Sequence, residues 1–136
     1  REGHGDMTIN IGRYTGLFTV FTVAIFFLPV LLGMPSATGF AIALPPLIAA
    51  VVEGNAFAKT NGARPAGRTA MEGSLRMTAF SFGVSLLLFG LGNVATGGQL
   101  FAELGGAPRV ALGAVALVVI QFAFNRLGLR LAPQTA

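Results

Sequence analysis

The stretch TGLFTVFTVAIFFLPVLLGM at residues 15–34 holds twenty residues and no charge. At a rise of 1.5 Å per residue, about twenty helical residues cross a hydrocarbon core of about 30 Å. A transmembrane strand would instead alternate polar and apolar positions over about ten residues, and this run is apolar on every face. It predicts a membrane-spanning helix.

Three further apolar runs follow, and together they predict spans at about residues 15–34, 37–58, 77–96 and 109–127, with a polar loop at 59–76. The composition of the 136-residue chain agrees, with 54% hydrophobic residues and only 10% charged. Its mean hydropathy is +0.75. A soluble domain carries about 25% charged residues, so a water-exposed globule of this composition would aggregate. The expected fold is all-α, a single integral membrane four-helix bundle. Pro35-Ser36-Ala37 resembles a signal-peptide cleavage site, but the apolar core before it is longer than a signal peptide's, so the first span is expected to be retained. Met7 reads as a natural start, with Arg1 to Asp6 upstream of it.

The net charge is +4, from nine Lys+Arg and five Asp+Glu. The cations stand singly between apolar runs, without a basic stripe or aromatic platform, so nucleic acid is not an expected partner. They report topology instead. Arg1, Arg13, Lys59, Arg64, Arg68, Arg76, Arg126 and Arg130 fall on one side of the four spans and only Arg109 on the other. The positive-inside rule then places both termini and the middle loop in the cytoplasm. Arginine exceeds lysine, and alanine and glycine abound, which fits a GC-rich bacterial genome and a bacterial inner membrane.

The middle loop carries turn signals at Asn61-Gly62 and Arg64-Pro65, and Thr69 with Glu72 has the spacing of a capping box that would start the third helix at Ala70. Glu72 and Arg76 are spaced for an i,i+4 pair. Lys59, Arg64, Arg68 and Arg76 read either as a solvated helix start or as a docking surface for a cytosolic partner or anionic headgroups.

Catalytic sets are missing from the spans. The only histidine, His4, lies outside them, which removes haem and chlorophyll ligation there. No aspartate lies in any span, and there is no cysteine. The expectation is a non-enzymatic protein with no cofactor beyond bound lipid.

Among the polar residues, Glu53 is the one acid near a helix interior. It is either an interfacial ion-pair partner of the loop cations or a proton or cation site. Asn93, Gln121 and Asn125 suit helix-helix hydrogen bonding, with the last two i,i+4 on one face. Pro45-Pro46, in the middle of the second span, would delete two backbone donors, giving either a kink packed against a neighbouring helix or a helix break that lines a cavity. Small residues line up as two seams: Gly39, Ala43, Ala50, Gly54 and Ala58 on the second helix, and Gly83, Gly90 and Gly97 on the third. One seam is expected to pack inside the unit and the other to meet a partner, the alternative being that both are internal.

The short N-terminus ending in Gly12-Arg13-Tyr14, the four spans and the loop Phe57…Asn61-Gly62-Ala63-Arg64-Pro65…Glu72 resemble the ABZJ-type family of small four-span bacterial inner-membrane proteins. The resemblance covers most of Met7 to Arg130 and implies architecture without a mechanism. Pro65-Ala66 departs from the Pro-Thr step frequent in that family. Gly12-Arg13-Tyr14 and Thr78-Ala79-Phe80-Ser81-Phe82 also echo small fluoride channels, whose charge bias is weak where this chain's is strong. The expected function is an accessory subunit or assembly factor of a larger membrane complex, partnered by lipids and other membrane subunits. The alternative is a small ion channel or transporter working as a homo-oligomer.

Overall fold

The computed structural model describes residues 9–34 and 39–132, and these are all-helical, with no strand among them. His4, Arg1 to Asp6 and Pro35-Ser36-Ala37 lie outside the described residues.

The first helical segment runs as α1 (Ile11–Thr22), a π-helical turn (Val23–Phe27) and α2 (Leu28–Leu31). A 3-10 turn (Gly39–Ala43) leads into α3 (Leu44–Asn61), followed by α4 (Gly67–Ala95), the short α5 (Gln99–Glu103) and α6 (Gly106–Arg130). Among the described residues three helices are long and apolar enough to cross a membrane: Ala41–Asn61, Gly67–Ala95 and Gly106–Arg130. The apolar helix Ile11–Phe27 is shorter.

Helix α1 begins four residues before the expected span because Asn10 caps it. The Asn10 backbone is extended, and its Oδ1 accepts from the Arg13 N–H at 2.9 Å. Arg13 and Tyr14 therefore ride on the first turn instead of preceding the helix. Further along, Pro29 lacks the N–H that would bond Ile25. The π-helical turn just before it widens the ladder, with the Leu28 N–H reaching Val23 O.

Pro45 and Pro46 do not break a helix. They occupy the first turn of α3, where backbone N–H groups have no intrahelical acceptor and the fixed proline φ suits the helix. The residues before them wind as 3-10 helix, so the break expected in mid-span is a junction at the start of α3.

The polar loop is also shorter than 59–76. Helix α3 runs on to Asn61 and stops at Gly62, whose φ of +80° and N–H bond to Ala58 O at 2.8 Å close the helix end. Helix α4 starts at Gly67, so only residues 62–66 connect the two. Lys59 and Thr60 are polar but helical, because a helix ends where its backbone ladder ends and not where its apolarity does. The expected capping box at Thr69 is not used. Ala66 is the extended residue before the helix, and Thr69 falls within the first turn. The outer loop likewise contains α5 and the start of α6, since the Gly97-Gly98 and Gly105-Gly106 turns bracket a helix-forming Gln-Leu-Phe-Ala-Glu.

The packing pairs α1 with α3 and α4, and α6 with α3 and α4. The core gathers where α1 and α4 begin and α3 and α6 end: Tyr14, Phe18, Ala49, Ala50, Phe57, Met77 and Leu129. Half of the most apolar stretch of α3 is buried inside the molecule, against 17% for α4 and 11% for α6. Large apolar side chains such as Val94, Leu112 and Val115 stand exposed. In water this surface would drive aggregation; it suits lipid.

Closest approach occurs between α3 and α6. A Cβ on Gly128 would lie 2.5 Å from Ala50 Cβ and 3.0 Å from both Leu47 O and Val51 N. A Cβ on Gly54 would lie 3.3 Å from Leu129 Cα. Ala43, Ala50, Gly54 and Ala58 are all buried. Gly39 opens the 3-10 turn. The α4 seam differs. Nothing lies within 4 Å of a Cβ built on Gly83 or Gly90, and Gly97 sits in the turn after α4, not on the helix.

Candidate functional site

Six buried polar side chains sit in the described bundle: Glu53, Ser74, Thr78, Ser81, Gln121 and Asn125. Five of them fall into two connected groups.

The first group centres on Glu53, on the inner face of α3 and 1% exposed. Its Oε1 accepts from the Asn10 N–H at 3.1 Å and from Arg13 Nη2 at 3.3 Å, and its Oε2 pairs with Arg13 Nε. The Arg13 side chain is 48% exposed, so its outer half keeps contact with solvent or headgroups. A polar recess of about 160 Å³ opens beside the pair, lined by Asn10, Arg13, Glu53 and Thr60 among others. Glu53 is thus an ion-pair partner, but of Arg13 from α1 and not of the loop cations. The Asn10 cap turns the start of α1 so that one backbone donor and one guanidinium converge on the same carboxylate.

The second group crosses between helices. Tyr14 OH donates to Asn125 Oδ1 at 2.6 Å, and Asn125 Nδ2 donates to Thr78 Oγ1 at 3.1 Å. Thr78 Oγ1 in turn donates to Ser74 O at 2.7 Å. One turn earlier on α6, Gln121 Oε1 accepts from Ser81 Oγ at 3.2 Å and Gln121 Nε2 donates to Ser85 Oγ at 3.0 Å. Gln121 and Asn125 share a face at i,i+4, and Thr78, Ser81 and Ser85 share one at i+3 and i+7, so two antiparallel helices meet rung by rung. Each hydroxyl spends its proton on an i−4 or i−3 carbonyl or on an amide oxygen, which polarises the chain in one direction.

The chemistry available here is binding and orientation. The carboxylate is neutralised by a fixed counter-charge, and the hydroxyls are committed as donors. Arg13, Tyr14, Thr78, Ser81 and Ser85 were not singled out as site residues from the sequence. Asn10 at three residues before Arg13 is an N-cap spacing, and the hydroxyl stripe on the third helix mirrors the amide pair on the fourth; both signals were there to use.

The remaining candidates are dispersed. Asn93 Oδ1 accepts from the Phe101 N–H at 2.8 Å, so it ties α5 to the end of α4 and does not bridge two long helices. A side chain at the end of a helix reaches the following turn more readily than a neighbouring helix. Arg64 Nη1 donates to Arg130 O at 2.9 Å and so caps the end of α6. Glu72 pairs with Arg68 at 3.4 Å, instead of with Arg76, because helical side chains lean toward the N-terminus. That pair is exposed and contributes little. Lys59 and Arg76 point outward.

Comparison of the chain with protein-family models, with curated proteins and with solved structures finds no match.

Proposed function

We propose that the chain is a non-enzymatic subunit or assembly factor of a larger bacterial inner-membrane complex, with four spans and both termini in the cytoplasm. The observation that carries this is the unfilled glycine face of α4. Ala79, Phe80, Gly83, Val84 and Leu87 line a shallow groove of about 430 Å³, and no atom lies within 4 Å of where a Cβ on Gly83 or Gly90 would stand. In lipid, helices associate through close backbone approach, and small residues permit it. The α3–α6 seam is consumed within the molecule, whereas the α4 face is free to receive another helix. The ABZJ-type resemblance accords with this architecture.

The state of Glu53 favours a structural role over transport. A transport acid must exchange its proton or cation with both sides, whereas this carboxylate is held by Arg13 and by the Asn10 N–H at one end of the bundle. Lys59, Arg68 and Arg76, exposed at the same end, would face the cytosolic side of the partner or anionic headgroups.

Gly90→Leu tests association. The variant should fold and insert as the wild type does, yet lose the membrane proteins that co-purify with the wild type in mild detergent, as read by mass spectrometry. Retention of the same partners, or a wild type that purifies alone, would remove the subunit reading. Topology is checked separately. A reporter active only in the periplasm should be silent when fused after Leu131 and active when inserted beside Gln99; the reverse pattern overturns the orientation.

A further inference from the structure

A half-open apolar cavity lies between α4 and α6 at the α5 end, touching the cross-helix polar group only at Ser85. It measures about 440 Å³ and is walled by Phe82, Phe89, Val110, Leu117 and Ile120, with Arg109 at its rim and Ser85 at its inner end. From Arg109 to Ile120 is eleven residues of α6, or about 16 Å at the helical rise. That is half of a hydrocarbon core of about 30 Å, so the cavity is as deep as one leaflet.

Its rim is cationic and unsatisfied. Among the described residues Arg109 forms no ion pair, although Glu103 is near in sequence on α5. Arg109 stands in the first turn of α6, whose Gly105 cap supplies no side-chain hydrogen bond, so uncapped backbone N–H groups and the positive helix end add to the same field. A single guanidinium over a long apolar slot is complementary to an amphiphile with an anionic head and an apolar tail.

We infer that this cavity holds one acyl chain of an anionic phospholipid, with the headgroup phosphate on Arg109 and the chain end near Ser85. The bilayer supplies the ligand, and the slot depth matches a chain that ends at the midplane. The inference needs α4 and α6 to lie in a membrane but does not depend on the subunit reading.

Native mass spectrometry of the full chain in mild detergent, titrated with equal amounts of phosphatidylglycerol and phosphatidylcholine, tests it. One arginine near a membrane surface contributes about 1 kcal/mol toward an anionic lipid, which is about fivefold in affinity. The wild type should therefore retain one phosphatidylglycerol about fivefold over phosphatidylcholine. Arg109→Gln should bring the two lipids to parity, while Arg126→Gln, at the opposite end of α6, should leave the preference intact. Gly113→Phe, placing a ring in the slot, should remove the adduct with either lipid. Equal retention by the wild type, or an undiminished preference in Arg109→Gln, overturns the proposal. So does a protein dimer in place of the lipid adduct, which would assign the cavity to a second copy.

Discussion

Replacing Gly128 by alanine should destabilise the protein by about 1–3 kcal/mol or more, the range for forcing atoms into a packed site. The added methyl would sit 2.5 Å from Ala50 Cβ and 3.0 Å from the backbone at Leu47 and Val51. None of these is the end of a flexible side chain, so relief requires α3 and α6 to move apart. Such separation also pulls Gly54 from Leu129 and weakens the contacts that hold the Glu53 side of α3 in place. Gly128→Val should abolish accumulation of folded protein. Gly83→Ala is the matched control. Its Cβ meets nothing within 4 Å, and alanine is favoured over glycine in a helix by about 1 kcal/mol. It should be neutral or stabilising. Thermal unfolding in detergent, followed by circular dichroism, reads both. A neutral Gly128→Ala would mean that α3 and α6 do not approach as closely as a 2.5 Å Cβ contact requires.

What the sequence made legible follows from where its signal is strong. Uncharged runs near twenty residues give helices of membrane length regardless of detail, so α3, α4 and α6 could be anticipated, with ends in error by several residues. Those errors share a physical origin. Hydropathy marks where lipid ends, but the helix persists until the backbone ladder is interrupted. Asn10 starts α1 among polar residues, and Gly62 stops α3 beyond Lys59. Pro45-Pro46 sits in the first turn of α3 instead of breaking a span for the same reason, since a proline's effect depends on its distance from a helix start that hydropathy does not reveal.

The candidate site was half legible. Gln121 and Asn125 stand out as rare polar residues in an apolar helix, and their common face follows from a spacing of four. Their partners are serines and threonines, which are common in membrane helices and carry no sign of which ones are bridged. Glu53 is conspicuous as an acid in an apolar helix, but its partner is not in the loop nearest to it in sequence. Arg13 is forty residues away and reaches it only because α1 packs on α3. The Gly128 contact was hidden for a related reason. A lone glycine without a helical repeat is visible as a seam only once the facing Ala50 is in place.

Arg13→Gln should be more damaging than Glu53→Gln, and the double substitution milder than Arg13→Gln alone. The asymmetry follows from exposure. Glu53 is 1% exposed and Arg13 48%. Removing Arg13 leaves a buried carboxylate with the Asn10 N–H as its remaining donor, and breaking a buried pair in this way costs about 3–5 kcal/mol. Removing the charge of Glu53 instead frees a guanidinium that already reaches outward and can turn to water or headgroups. The glutamine carbonyl still accepts from Asn10, so that loss should be about 1–2 kcal/mol, near that of a hydrogen bond to a charged group. In Arg13→Gln/Glu53→Gln two amides face each other and no charge is buried, so part of the lost stability should return. A double-mutant cycle on unfolding in detergent measures this, and the coupling should exceed 1 kcal/mol. Additive losses, or a Glu53→Gln as severe as Arg13→Gln, would show that the two side chains act independently and that α1 is held to α3 by apolar packing alone.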